Sequence, residues 1–81
     1  MTLDTLKSAN RVIGIKQATK AVKRGNVQNV VVADDADDRV IEPLETLCRE
    51  CEVPVGRAET MQELGQACGI EVGAAAVAVL K

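Results

Sequence analysis

Two apolar runs with the length of β-strands constrain the fold of this chain more than any other feature. Val27–Ala33 is rich in β-branched residues and leads into an acidic turn. Ala74–Leu80 is apolar at every position, which is typical of a central strand that is covered on both faces. The sequence therefore predicts a sheet with a fully buried strand.

Shorter strands and helical patterns alternate with these two runs. The further strands are expected at Val12–Ile15 and Val53–Ala58. The helices are expected at Leu3–Ala9, Lys16–Arg24, Asp38–Cys51 and from Thr60 to about Cys68. Within 81 residues this alternation predicts one α/β domain spanning residues 1–81. Its expected architecture is a three-layer α/β/α sandwich around a small four-stranded mixed sheet.

Phe, Tyr, Trp and His are all absent from the sequence. Without aromatic rings a chain cannot stack unpaired bases on them, which disfavours RRM-like and OB-like binding of single strands. Without His, the commonest general base and metal ligand is missing. We therefore expect a binding protein rather than an enzyme, with no cofactor and no metal.

The sequence has neither the pattern of a secretion signal nor the roughly 20 apolar residues of a membrane span. Its three cysteines are an odd number, which favours a reducing compartment over a set of disulfides. We therefore expect a cytoplasmic protein without a membrane partner, and a monomer is the simplest expectation.

The net charge of −2 conceals a basic amino-terminal part. Residues 1–25 carry six Lys or Arg side chains and one acidic side chain, whereas residues 26–81 carry four basic and eleven acidic ones. A chain of this kind can bind a polyanion locally. Because its remainder is acidic, we expect a small contact surface rather than unspecific coating of nucleic acid.

The most basic segment is Gly14–Arg24, which runs from a strand end into a helix. Lys16, Lys20 and Lys23 have the spacing of one helix face. The free N–H groups of the first turn attract anions, and Gln17 can both donate and accept hydrogen bonds there. This unit is suited to contact phosphates or the O6 and N7 atoms of guanine. The alternative is an ordinary amphipathic helix with solvated lysines.

A second candidate is the loop Gly69–Gly73, in which two apolar residues flank Glu71 between glycines. In one interpretation Ile70 and Val72 are exposed and form a contact surface. In the other, both side chains turn inward and lead into the last strand. The pattern of so short a loop does not decide between them.

Two further clusters have structural explanations. Cys48 and Cys51 lie on the apolar stripe near the end of a helix, whereas a redox pair more typically lies at a helix start. A zinc site needs four ligands, and the chain has only three cysteines and no His. We interpret them as buried structural thiols, with a thiol redox enzyme as the alternative. The acids of Asp34–Asp38 lack the glycine and distal Glu of an EF-hand loop, and they fit a helix amino terminus better than a Mg²⁺ site.

Taken in order, these segments resemble one family. GIKQATKAVKRG resembles the Gly-x-Asn-Glu-x-x-Lys-x-x-x-x-Gly segment of the L7Ae group of ribosomal proteins. VVVADDAD resembles that family's second strand and acidic turn, and Met61–Val72 resembles its METLGxACGIEV-type sequence. The resemblance covers nearly the whole chain. The short length and the Lys16-Gln17 pair are most similar to the bacterial branch, the YbxF- and YlxQ-type kink-turn-binding proteins.

The resemblance implies an α/β/α sandwich that binds kink-turns, in which a three-nucleotide bulge beside tandem sheared G·A pairs bends an RNA duplex sharply. In that family the strand-to-helix segment enters the opened major groove and contacts the guanines. The Ile/Leu-Glu-Val loop covers a flipped-out bulge nucleotide. The RNA-binding residues expected from the basic segment and from the resemblance are Gly14, Ile15, Lys16, Gln17, Lys20, Lys23, Arg24, Ile70, Glu71 and Val72.

This sequence departs from the family pattern at its recognition pair. Lys16 and Gln17 stand where the archaeal and eukaryotic members have Asn and Glu. Lys16 can only donate, which suits guanine O6 and N7, and Gln17 can accept as Glu does but without charge. The expected partner is therefore a structured RNA containing a kink-turn, in the ribosome or elsewhere. The alternative is a protein-interaction module that keeps the fold without kink-turn binding.

Overall fold

A computed structural model of the chain describes residues 10–81, in which four strands alternate with three helices. The strands are β1 (Arg11–Ile13), β2 (Val27–Ala33), β3 (Val55–Ala58) and β4 (Ala76–Leu80). The helices are α1 (Ile15–Arg24), α2 (Asp38–Glu50) and α3 (Met61–Ala67). The helix predicted at Leu3–Ala9 lies outside the described residues.

The strands form one mixed sheet in the order β1-β4-β2-β3. β4 is antiparallel to both of its neighbours, with Val12 opposite Ala78 on one side and Val30 opposite Ala78 on the other. β2 and β3 are parallel, as expected for two strands joined by a crossover helix. The predicted four-stranded mixed sheet is therefore confirmed.

Both faces of the sheet are covered. Val30, Val31 and Val32 follow one another in β2, and each is at most 4% exposed. Because neighbours along a strand point to opposite faces, this burial requires packing on both sides. α1 and α2 pack against each other, and α3 packs against β2, β3 and β4. The arrangement is the predicted α/β/α sandwich.

Three strands are shorter than the sequence predicts. β1 ends at Ile13 because Gly14 turns the chain with φ 106°, and Ile15 already belongs to α1. β3 begins at Val55 rather than Val53, and β4 begins at Ala76 rather than Ala74. In residues 10–81 the helices are too short and too polar for any of them to traverse a bilayer.

Candidate nucleic-acid interface

One end of the sheet brings together the two segments that the sequence singles out. Given the strand directions, the carboxyl ends of β1, β2 and β3 and the amino end of β4 all lie there. The N–H of Gly14 donates to the carbonyl of Ala76 at 2.8 Å, so the start of α1 adjoins the start of β4. The loop that contains Ile70–Val72 leads into this same strand.

The amino end of α1 is open. Its N-cap is Gly14, with no side-chain hydrogen bond, and the first helical bond runs from the N–H of Ala18 to the carbonyl of Gly14 at 2.9 Å. The two other helices in residues 10–81 are capped, α2 by the carboxylate of Asp37 and α3 by the hydroxyl of Thr60. The three N–H groups that precede Ala18 therefore have no hydrogen-bond acceptor within residues 10–81, and free N–H groups at a helix start attract an anion or a base acceptor.

Within residues 10–81 the cations of α1 have no acidic partners. Lys16, Lys20, Lys23 and Arg24 are exposed, and no residue of α1 is acidic. Each ion pair within residues 10–81 uses Arg39 or Arg57 instead. Four positive charges without an acidic partner in this range, on a helix of ten residues, form a local anion-attracting surface on a chain of net charge −2.

The predicted residues of α1 do not all lie at the same place. Lys16 and Gln17 are in the first turn beside Gly14, whereas Arg24 ends the helix about 12 Å along its axis from Lys16. Ile15 is half-buried and packs against the core, so it offers the site its N–H rather than its side chain. The structure therefore groups Gly14–Gln17 and separates them from Lys23 and Arg24.

The loop between α3 and β4 divides its two apolar side chains. Val72 is 69% exposed, whereas Ile70 is half-buried and packs against the core. Glu71 between them is exposed. Neither sequence-based interpretation therefore holds for both apolar residues, because Ile70 anchors the loop while Val72 presents an apolar surface.

Two glycines allow this loop to pack closely against α3. Neither of them was predicted from the sequence to be a site residue. A Cβ added at Gly65 would lie 3.1 Å from the carbonyl carbon of Val72 and closer still to its oxygen. A Cβ added at Gly73 would lie 3.1 Å from the Cβ of Met61. Such close approach explains why glycines occupy both positions. A glycine inside the helical pattern, as Gly65 is, was the available signal.

Hydrogen bonds fix both ends of the loop. The N–H of Ile70 donates to the carbonyl of Gly65 at 3.1 Å, and the N–H of Ala74 donates to the carbonyl of Met61 at 3.0 Å. The guanidinium of Arg11 donates to the carbonyl of Cys68, which ties β1 to the start of the loop. Val72 is therefore displayed by a braced segment.

The acidic run serves structural roles in the described part of the chain. Asp35 accepts a hydrogen bond from the N–H of Met61 at 2.7 Å, and Asp34 pairs with Arg57 at 2.8 Å. Asp37 caps α2, and its hydrogen bonds with Arg39 lower the pKa of its carboxyl. Asp37 and Asp38 thus lie at the amino terminus of α2 as predicted, whereas Asp34 and Asp35 bind to β3 and to the start of α3. Within residues 10–81 no three potential ligands are grouped to hold a metal ion.

The cysteines correct one expectation. Cys48 is buried, and this burial raises the pKa of its thiol, as suits a core side chain. Cys51, predicted to be buried with it, is exposed. α2 ends at Glu50, and Cys51 is its C-cap with φ −93° and ψ 3°, so the helical stripe does not continue to this residue.

Comparison with known proteins agrees with the fold and identifies the family. The model of the "Ribosomal protein L7Ae/L30e/S12e/Gadd45 family" matches residues 2–81. RNA-binding protein YbxF of Geobacillus stearothermophilus is 46% identical over 76 residues, which cover 94% of this chain and 93% of that protein. An RNA-binding protein of Bacillus pumilus is 44% identical over 81 residues, with 99% of each chain covered.

A solved structure extends the likeness to a distant organism. The Giardia lamblia 15.5kD RNA binding protein matches with a TM-score of 0.89 and 28% identity, over 98% of this chain and 70% of that chain. All three relatives are described as RNA-binding, in agreement with the expectation that this chain is a binding protein. A family match over nearly the whole sequence shows that the chain belongs to the L7Ae/L30e/S12e/Gadd45 family of ribosomal and related proteins.

Proposed function

We propose that this chain is an RNA-binding protein that recognises kink-turns and stabilises their bent form. The observation that carries the proposal is that the amino end of α1 and the braced Ile70–Val72 loop lie at the same end of the sheet. In the family pattern these two segments contact the guanines and the flipped-out nucleotide of a kink-turn. The three relatives named above are described as RNA-binding.

Each residue at the start of α1 has a chemical role in this proposal. Gly14 has no side chain, so RNA can approach the backbone there. Lys16 donates to guanine O6 or N7, and the amide of Gln17 donates to or accepts from a base edge. Lys20 lies one turn further along and matches the family lysine. Val72 contacts the extruded nucleotide through its apolar surface.

The bent RNA is a minor conformer of a flexible duplex, and a protein that binds only this conformer shifts the population towards it. Recognition of a shaped duplex needs no stacking on aromatic rings, so the absence of Phe, Tyr and Trp is no obstacle. The lysines and Arg24 near phosphates add a salt-dependent contribution to affinity. The partner RNA in the cell is ribosomal or another structured RNA, and the chain binds it as a monomer in the cytoplasm.

Equilibrium binding to a fluorophore-labelled kink-turn at two salt concentrations tests the proposal. The matched control RNA has Watson–Crick pairs in place of the sheared G·A pairs, so its length and charge are unchanged. Tight binding to the first RNA and loss of binding to the second are expected. Equal, weak and salt-sensitive binding to both RNAs would show that the family fold is present without kink-turn recognition.

One observation favours a second candidate, a protein-interaction module. Val72 is 69% exposed and Met61, packed beside Gly73, is 36% exposed, so the loop presents apolar surface. Such surface also suits docking of a protein. Capture of a cellular protein that survives RNase treatment and is lost in Val72→Ser would favour this alternative.

A further inference from the structure

The exposed side of α1 has two flanks. Gln17, Lys20 and Arg24 are spaced i, i+3 and i+7, so they follow one flank. Lys16 and Lys23, also seven residues apart, follow the other flank, and Lys20 lies between the two rows. The two cations of the last turn, Lys23 and Arg24, therefore face different surroundings although they are adjacent in sequence.

The flank of Arg24 borders a groove beside β1 and the end of β4. This groove has a volume of 160 Å³, and Val12 and Leu80 form its apolar part. Its polar lining consists of Gln17, Lys20, Arg24 and Asn26, with no acidic side chain. The backbone of Asn26 is fixed because its carbonyl accepts a hydrogen bond from the N–H of Lys81 at 2.9 Å, while its side chain is exposed.

Lys23 borders a different cleft, on the side of the carboxyl end of α2. This cleft has a volume of 370 Å³, and its lining includes the acidic Glu52 and the exposed Cys51 besides the cations Lys23 and Lys81. α2 itself carries acidic side chains at Asp38, Glu42, Glu45 and Glu50. This side of α1 therefore carries charges of both signs, whereas the charged side chains that line the groove of Arg24 are all cations, so the groove attracts a polyanion more strongly.

We propose that one strand of the bound RNA continues from the start of α1 along the groove of Gln17, Lys20, Arg24 and Asn26. This inference rests on the kink-turn function proposed above and adds a direction to it. Arg24 and the amide of Asn26 donate to phosphate oxygens, and Lys23 makes no RNA contact. Asn26 is thus added to the proposed RNA-binding residues. Lys23, which was expected from the basic segment, is removed from them.

The dimensions of the groove suit a strand of this kind. Gln17 and Arg24 are seven residues apart, which is about 10 Å along a helix axis. Roughly three phosphates of one duplex strand occupy such a length. An arginine fork and an amide are suitable donors for phosphate oxygens, and neither has a hydrogen-bond partner within residues 10–81.

Two substitutions with the same charge change test this path. Arg24→Gln and Lys23→Gln each remove one cation from the last turn of α1, and binding to the labelled kink-turn is measured over a series of salt concentrations. Arg24→Gln is expected to lower affinity and to reduce the slope of log K against log salt by about one. The affinity ratio of wild type to variant then shrinks about threefold between 50 and 200 mM salt. Lys23→Gln is expected to leave the slope unchanged.

A second measurement tests whether Arg24 contacts one of the two helical arms of the kink-turn. Kink-turns are prepared with either helical arm shortened, and the effect of Arg24→Gln is expected to disappear with one of the two arms. Asn26→Ala is expected to weaken binding of the full RNA without a change of slope. Thermal melting of the free variants checks that each is folded.

The outcomes separate this inference from the proposed function. The proposed RNA path would be overturned if Arg24→Gln and Lys23→Gln changed the salt slope equally. It would also be overturned if the effect of Arg24→Gln persisted whichever arm was shortened. Kink-turn recognition would stand in both cases. Equal binding of the wild-type chain to the kink-turn and to its Watson–Crick control would instead overturn the proposed function, and the path with it.

Discussion

Lys20 lies between the two flanks of α1, so in the proposed complex its side chain can contact either guanine acceptors or the phosphates in the groove. We expect Lys20→Ala to weaken kink-turn binding by about 1–3 kcal/mol if the ammonium group donates to guanine. Titration of labelled kink-turns with different base pairs at the kink measures this loss. A loss that is the same for every RNA sequence, with a shallower salt slope, would mean that Lys20 meets phosphate alone.

Gly14 has φ 106° and ψ 152°, a conformation that is essentially restricted to glycine, whereas Gly25 has φ 76° and ψ 18°, a left-handed conformation that Asn tolerates. No heavy atom lies within 4 Å of a Cβ added at either position, so the difference is one of backbone strain. We expect Gly14→Asn to lower the free energy of unfolding by about 1–3 kcal/mol. We expect Gly25→Asn to lower the free energy of unfolding by clearly less. Urea unfolding of both variants measures the two changes.

A milder effect at Gly14 than at Gly25 would contradict this account of the strand-to-helix turn.

The same turn shows what a sequence reveals at the scale of residues. The glycine, the basic spacing and the acids at helix starts were all visible. Which side of α1 each cation faces was not, because the neighbours of α1 come from distant parts of the chain. The exposure of Val72 and the burial of Ile70 depend likewise on packing against α3.

α3 and the loop behind it form one unit because Gly65 admits the backbone of Val72. Within a helix, replacing Gly by Ala ordinarily stabilises by up to about 1 kcal/mol. Here the added methyl group meets a backbone carbonyl, and overpacking of a close contact costs about 1–3 kcal/mol. We therefore expect Gly65→Ala to lower stability, to displace the loop and to weaken kink-turn binding, as melting and RNA titration would show.

Gly56 in β3 supplies the control for this substitution. A Cβ there would lie 3.8 Å from a methyl group of Val31, an ordinary contact, and the residue is exposed. Gly56→Ala should therefore leave both stability and RNA affinity nearly unchanged. If Gly65→Ala were as harmless as Gly56→Ala, the glycine contact would not be what holds the loop.

The elements themselves were largely predictable, because each follows from a local pattern. β2 has the bounds expected from its β-branched run, and α3 starts after the cap at Thr60 as predicted. Strand ends were less predictable: Ala74 is apolar, yet its N–H bonds to Met61 rather than to a neighbouring strand. The position of β4 between β1 and β2 has no local signal, although it is what places Gly14 next to the start of β4, into which the loop leads.

For the molecule as a whole, the distribution of charge limits how RNA can lie on it. In the part of the chain that the structure describes, α1 carries four cations without acidic partners, while acids follow β2 and occur along α2. A straight duplex that touches only α1 gains few phosphate contacts before it meets repulsion. A bent duplex reaches the open end of α1 and the loop together. Preference for the bent form is therefore expected from geometry as well as from charge.

The last prediction concerns the stability of the folded chain in the presence of RNA. A ligand that binds only the folded state raises stability by RT ln(1 + [L]/Kd), about 2.7 kcal/mol when free RNA is 100 times Kd. In a domain of this size each kcal/mol raises Tm by about 4–8 °C. Kink-turn RNA at that excess should therefore raise the Tm of the chain by about 10–20 °C.

Far-ultraviolet circular dichroism suits this measurement because the chain has no Trp or Tyr to report unfolding by fluorescence. The Watson–Crick control RNA, at the same concentration, should raise Tm only slightly, and raised salt should reduce both shifts. Equal shifts with both RNAs would mean that charge alone drives binding. Because both RNAs have the same length and charge, the difference between their Tm shifts isolates the contribution of the bent shape.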